Sequence, residues 1–269
     1  MIYDLAVTES ADRIVDTARG TISYGDYGRG PARVVLHSLL TDRRAFDHLR
    51  ADMGGRIITV DLAGFGSTAP APPTIDAYAD QVAALMEALD LEPTTTFLMG
   101  NGLGAFVALG LAIHHGDAFG RLLLIGCGTG FSASARGSFL AMASAAEAGG
   151  MDAVVPTALR RIFTEEYLDA NPSVAEERAM VLKRTDPAAF ASACHALYGL
   201  DYAEEVSGVH NPTMIVVGED DRATPPEMAE RLHALLPDST LVRLSGVAHA
   251  PHLQDPAGFM RTIKRFLEE

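Results

Sequence analysis

Leu98-Met99-Gly100-Asn101-Gly102-Leu103-Gly104-Ala105 is the stretch whose reading decides the fold of this chain. The residues before the turn, 95–99, form a short apolar run of strand length, and the residues after it, 103–114, are small or apolar over a helix length. Between them glycine stands at alternate positions, 100, 102 and 104. Glycine reaches positive φ and lets two backbones approach closely, so the run predicts a strand that turns abruptly into a helix.

Working outward, the same strand–helix alternation recurs on both sides. Residues 21–25 alternate apolar and polar and read as an edge strand, 34–36 and 56–61 as buried strands, and 46–53 as a helix. A helix is expected over 74–89, where Val82, Leu85, Met86 and Leu89 fall at helical spacing. Beyond the central turn, 122–125, 214–217 and 241–244 read as strands, with helices over 226–236 and 255–267. Pro226 sits near the first turn of its helix, where its missing N–H costs nothing. From 131 to 209 the pattern changes to short helical stretches rich in Ala, Glu and Arg, with no buried strand. The expectation is an α/β core, 1–130 and 210–269, with a mostly parallel sheet flanked by helices and a helical cap inserted at 131–209.

Composition narrows the function. The chain has 269 residues, is 48% hydrophobic and carries a formal charge of −14, which argues against nucleic acid or an anionic membrane as partner. No apolar run of transmembrane length is present, and the opening Met-Ile-Tyr-Asp-Leu does not read as a secretory signal. Cys127 and Cys194 lie far apart, with no metal-ligand spacing, which suits a reducing cytoplasm. The expected partner is a small-molecule substrate, with no metal or cofactor and with a homodimer left open.

Five segments, in chain order, resemble the α/β-hydrolase family. The 98–105 stretch resembles its nucleophile elbow, G-x-S-x-G. His37-Ser38-Leu39-Leu40 stands where the family carries its oxyanion loop, and Asp61-Leu62-Ala63-Gly64-Phe65-Gly66-Ser67 is similar to its D-x-x-G-x-G-x-S turn. Gly218-Glu219-Asp220-Asp221 looks like its acid loop and Gly246-Val247-Ala248-His249 like its terminal histidine loop. The wording of 35–42 and 218–226 is most similar to the 3-oxoadipate enol-lactonase branch.

The resemblance implies roles. His249 would move protons, since imidazole titrates near neutrality. Asp221, chosen over Asp220 by its spacing from Gly218, would fix the imidazole tautomer. The backbone N–H groups of Leu39 and Leu103 would hold an oxyanion. His37, Ser38, Cys127 and Phe131 are candidate substrate contacts, each equally readable as a packed or loop-bonded residue. Cys127 is also the one alternative nucleophile that follows a strand end. Asn101 should point away from substrate. Phe139, Met142, Phe163, Tyr167, Phe190 and Tyr198 are further candidates for an apolar lining.

The chain departs from the family at Gly102, which occupies the nucleophile position with no side chain. Three explanations compete: acid–base chemistry by a His249–Asp221 dyad (direct-water hydrolysis, or a lyase, dehydratase or cyclase reaction), a ligand-binding pseudoenzyme, or a serine hydrolase whose serine was replaced to trap a ligand. The retained dyad favours the first and third. Two lookalikes fall away. Gly100-x-Gly102-x-x-Ala105 matches a dinucleotide fingerprint but lacks the acid at the next strand end, and the glycine-rich 126–130 stretch lacks the acid that a methyltransferase loop would carry before it.

Overall fold

The computed structural model describes residues 11–268. The segment examined for a secretory signal lies outside the described residues. Eight strands form one sheet: β1 (Ala11–Thr17), β2 (Gly20–Gly28), β3 (Ala32–Leu36), β4 (Arg56–Val60), β5 (Phe97–Asn101), β6 (Arg121–Ile125), β7 (Thr213–Gly218) and β8 (Ser239–Leu244). Their spatial order is β1-β2-β4-β3-β5-β6-β7-β8. The β1–β2 and β2–β4 pairs are antiparallel and every later pair is parallel.

The side-chain period of two divides the core between the faces of this sheet. Val34, Leu36, Leu122, Leu124, Ile215 and Val217 belong to one apolar cluster, and Val35, Leu123, Ile125 and Val216 to the other. The first face is covered by Tyr78, Val82 and Leu85 of the helix Ile75–Ala88 and by Phe106 and Leu109 of the helix Leu103–His115. Thr74 caps the former, its hydroxyl accepting from the Ala77 N–H. Phe46, Leu49 and Met53 cover the second face with Phe259, Met260 and Ile263 of the closing helix Pro256–Glu268. Strands buried on both faces explain the nearly unbroken apolar runs in the sequence.

The edge differs from the sequence reading. The 21–25 strand is not at the edge: β1 pairs outside it, from Thr17↔Gly20 through Ala11↔Asp26. β1, Ala-Asp-Arg-Ile-Val-Asp-Thr, is too polar to announce itself, and Ile14 is 61% exposed, as an edge strand tolerates. The helix expected over 46–53 begins earlier, as a 3₁₀ stretch Arg43–Leu49 before the single α turn Arg50–Met53.

Between β6 and β7 the described elements are all helical, the longest being Ala133–Gly149, Pro172–Lys183 and Pro187–Gly199. Among the described residues no helix is long and apolar enough to cross a membrane.

Candidate active site

β5 ends at Asn101 and the helix begins at Leu103, so the chain reverses within one residue. Gly102 takes φ +53° and ψ −117°, a conformation that strains a residue with a Cβ. Gly104 serves a different need. A Cβ there would lie 2.4 Å from the Leu36 carbonyl oxygen, and its N–H donates to the His37 carbonyl at 3.0 Å. The helix start is thereby locked against the end of β3, bringing the Leu103 and Leu39 segments to one cavity.

The acid loop follows β7. Asp221 is 3% exposed, and its carboxylate is fully engaged. Oδ1 accepts from the Ala223 N–H at 2.8 Å and the Thr224 N–H at 2.9 Å, while Oδ2 accepts from the Thr224 hydroxyl at 2.7 Å. Oδ2 also lies 2.8 Å from His249 Nδ1. An ionised carboxylate only accepts, so Nδ1 carries the proton and Nε2 presents a lone pair. Asp220, the rival by sequence, is exposed.

His249 is held from behind as well. The Asn101 side-chain amide donates to the His249 carbonyl at 2.8 Å and to that of Ile125 at 3.2 Å. Gln254 accepts from the Ala248 N–H at 3.0 Å and donates to the Gly246 carbonyl at 2.9 Å, closing the loop on itself. The Ala250 N–H donates to the Ile162 carbonyl at 3.3 Å, tying the histidine loop to the helix Val155–Ile162.

The imidazole leans into the space of the absent side chain. A Cβ on Gly102 would stand 2.5 Å from His249 Nε2 and 2.6 Å from Ser38 Oγ. Ser38 Oγ itself lies 3.4 Å from Nε2, the hydroxyl donating. The glycine therefore does not leave an open gap: base and hydroxyl fill it. Beside them remains a cavity of about 30 Å³, lined by Ser38, Leu39, Gly102, Leu103, Thr224 and His249, with Phe106, Phe131, Phe139, Met142 and Arg161 opposite. The Leu39 and Leu103 N–H groups have no acceptor among the described residues, and both residues line this cavity.

The other expected contacts divide. Phe131 lines the cavity, its ring 4.9 Å from that of Phe106 and 4.7 Å from that of Phe139. His37 does not reach it. Its Nδ1 donates to the Ser38 carbonyl at 2.9 Å and its Nε2 accepts from the Leu62 N–H at 3.1 Å, so the ring joins two loops, and burial holds its pKa down. Cys127 is fully buried outside the cavity lining, its thiol donating to the Gly128 carbonyl, and burial pushes its pKa far up, which removes it as a nucleophile. Phe190 is core, Phe163 stacks on Tyr167 away from the site, and Tyr198 is exposed.

Three residues escape sequence reasoning. Thr224 orients Asp221, a role the Asp-x-x-Thr spacing hints at. Asn101 does point away from the cavity, as expected, but its clamp on His249 depends on a contact 148 positions away. Arg161 has no local signal; it lines the cavity without a hydrogen bond or ion pair to any described residue, and burial lowers its pKa.

The arrangement can take a proton at Nε2, return it, and hold negative charge at two backbone amides. Two larger surface crevices, of about 430 and 560 Å³, contain neither His249 nor Gly102. Among the described residues no group of three or more His, Cys, Asp or Glu is placed to hold a metal ion.

Comparison with known proteins bears on the family and the fold. A pimeloyl-(acyl-carrier protein) methyl ester esterase of Aromatoleum aromaticum is 33% identical over 216 residues, 76% of this chain and 84% of that protein. A 3-oxoadipate enol-lactonase of Acinetobacter baylyi is 24% identical over 241 residues, 88% of this chain and 89% of that one. The crystal structure of an enol-lactonase from Burkholderia xenovorans superposes with a TM-score of 0.89 at 25% identity, covering 96% of this chain and all of the other. The model of the alpha/beta hydrolase family matches residues 34–262, and the chain belongs to that family.

Proposed function

We propose that the protein hydrolyses the carbonyl of a small ester or lactone by acid–base catalysis at His249 and Asp221, with no nucleophile at position 102. The observation that carries this is the His249 ring, whose Nε2 reaches into the elbow position while Nδ1 is held by Asp221 at 2.8 Å, beside the cavity. A cavity of about 30 Å³ has room for a water molecule beside Nε2. His249 takes a proton from that water as its oxygen attacks the carbonyl carbon. The Leu39 and Leu103 N–H groups hold the oxyanion, and the protonated imidazole returns the proton to the leaving oxygen. The relatives named as an esterase and an enol-lactonase support this choice of reaction.

The helices between β6 and β7 act as a cap that encloses the acyl chain against Phe131, Phe139 and Met142. The test is turnover of an ester and lactone panel. His249→Ala and Asp221→Asn each lower kcat/KM by about 10²–10⁴-fold. Equal activity in the histidine variant overturns the reading, and ligand binding without any product supports a binding module instead.

A further inference from the structure

The reading above gives the first attack on the substrate carbonyl to water, yet a hydroxyl of the chain itself stands at the same base. The geometry points to Ser38 as the nucleophile, its hydroxyl standing in for the one the elbow lacks. This inference rests on the hydrolytic reading above.

Four observations support it. Ser38 Oγ lies 2.6 Å from where a Cβ on Gly102 would be, within the reach of a side chain at the elbow. It is buried and lies 3.4 Å from Nε2, which is its one hydrogen-bond partner among the described residues. Ser38 also lines the cavity beside His249 and Gly102. Finally, its backbone is fixed: the Ser38 N–H donates to Thr41 Oγ1 at 3.1 Å, and its carbonyl accepts from the Thr41 N–H at 3.2 Å and from His37 Nδ1 at 2.9 Å. These bonds hold the Ser38 main chain in place beside the base. The order of groups also repeats that of an elbow, because the next residue, Leu39, supplies an unengaged amide N–H at the same cavity.

The steps balance. Ser38 Oγ bonds to the carbonyl carbon as its proton passes to His249 Nε2, and the oxyanion sits at the Leu39 and Leu103 amides. The carbon–oxygen bond to the leaving group breaks, and that oxygen takes the proton from Nε2. Water then attacks the acyl carbon, giving its proton to Nε2. The Oγ–carbon bond breaks and Oγ recovers a proton, so ester and water become acid and alcohol.

The test treats the full chain with a fluorophosphonate probe and maps the adduct by peptide mass spectrometry. The expected adduct is on the peptide carrying Ser38, absent in Ser38→Ala and in His249→Ala. Ser38→Ala is expected to lower kcat by about 10³-fold or more while KM stays within about threefold. Ser38→Cys keeps a nucleophile and is expected to give a thiol adduct with iodoacetamide and an initial burst. An adduct elsewhere, no adduct, or a folded Ser38→Ala enzyme within about tenfold of the parent overturns the assignment. The last result leaves the dyad reading standing, with water attacking directly. Loss of that reading shows separately, as full activity in His249→Ala.

Discussion

Restoring a side chain at position 102 is expected to damage this protein rather than repair it. A Cβ there meets His249 Nε2 at 2.5 Å and Ser38 Oγ at 2.6 Å, whereas unstrained contacts begin near 3.4 Å. One or both groups must therefore retreat by about 1 Å. Nδ1 is already hydrogen-bonded at 2.8 Å to a carboxylate that has no spare freedom, so moving the ring breaks that bond or drags its loop. Overpacking a filled site costs about 1–3 kcal/mol, and a non-glycine residue at φ +53° adds about 1 kcal/mol or more. Together these lower the melting temperature by roughly 5–10 °C for a domain of this size. A misplacement of about 1 Å lowers turnover by about 10²-fold.

Gly102→Ala and Gly102→Ser should behave alike, because the harm comes from Cβ. Calorimetric melting and steady-state ester hydrolysis read both effects, and intact-mass spectrometry after a substrate pulse reads any acyl adduct. The reasoning fails if Gly102→Ser melts at the parent temperature and accumulates an acyl group on the new serine. The glycine would then stand for a serine that had been removed.

Two further outcomes follow from the supports of the site. Asn101→Ala removes both donors that hold the His249 and Ile125 carbonyls, and is expected to lower kcat by about 10-fold or more with little change in KM, at a stability cost of about 1–3 kcal/mol. A change confined to KM contradicts the clamp. His252 is fully buried, stacked on Phe46 at 4.0 Å, with neither ring nitrogen hydrogen-bonded among the described residues, and burial holds its pKa well below 6.5. The unfolded chain therefore binds the proton first, so stability falls as pH drops below about 6.5, by up to about 1.4 kcal/mol per pH unit for this group. His252→Phe should flatten that acid limb in melting curves between pH 7.5 and 5, and an unchanged slope would refute the assignment.

The fold was legible in the sequence because burial on both faces writes itself into β3, β5, β6 and β7 as plain apolar runs. β1 was not, since an edge strand needs only one dry face and can spend its residues on Asp and Arg. The meeting of His249 with Asp221 was expected from the family resemblance of two short loops, and the two side chains lie 2.8 Å apart. Lying just past a strand end, however, places a residue near the crevice without saying which way its side chain turns. His37 and Cys127 pass that test of position, yet one ring spans two loops and one thiol is packed away. Ser38 turns its hydroxyl toward the base, a direction that no pattern of residue types reveals. Arg161 and the grip of Asn101 depend on chain segments brought together only by folding.

The bond from the Ala250 N–H to the Ile162 carbonyl has a mechanical consequence. Any shift of the helix Val155–Ile162 pulls on the loop that carries the base. A ligand that displaces this helix on entering therefore also displaces His249, so binding and proton transfer at Nε2 are coupled through one backbone hydrogen bond.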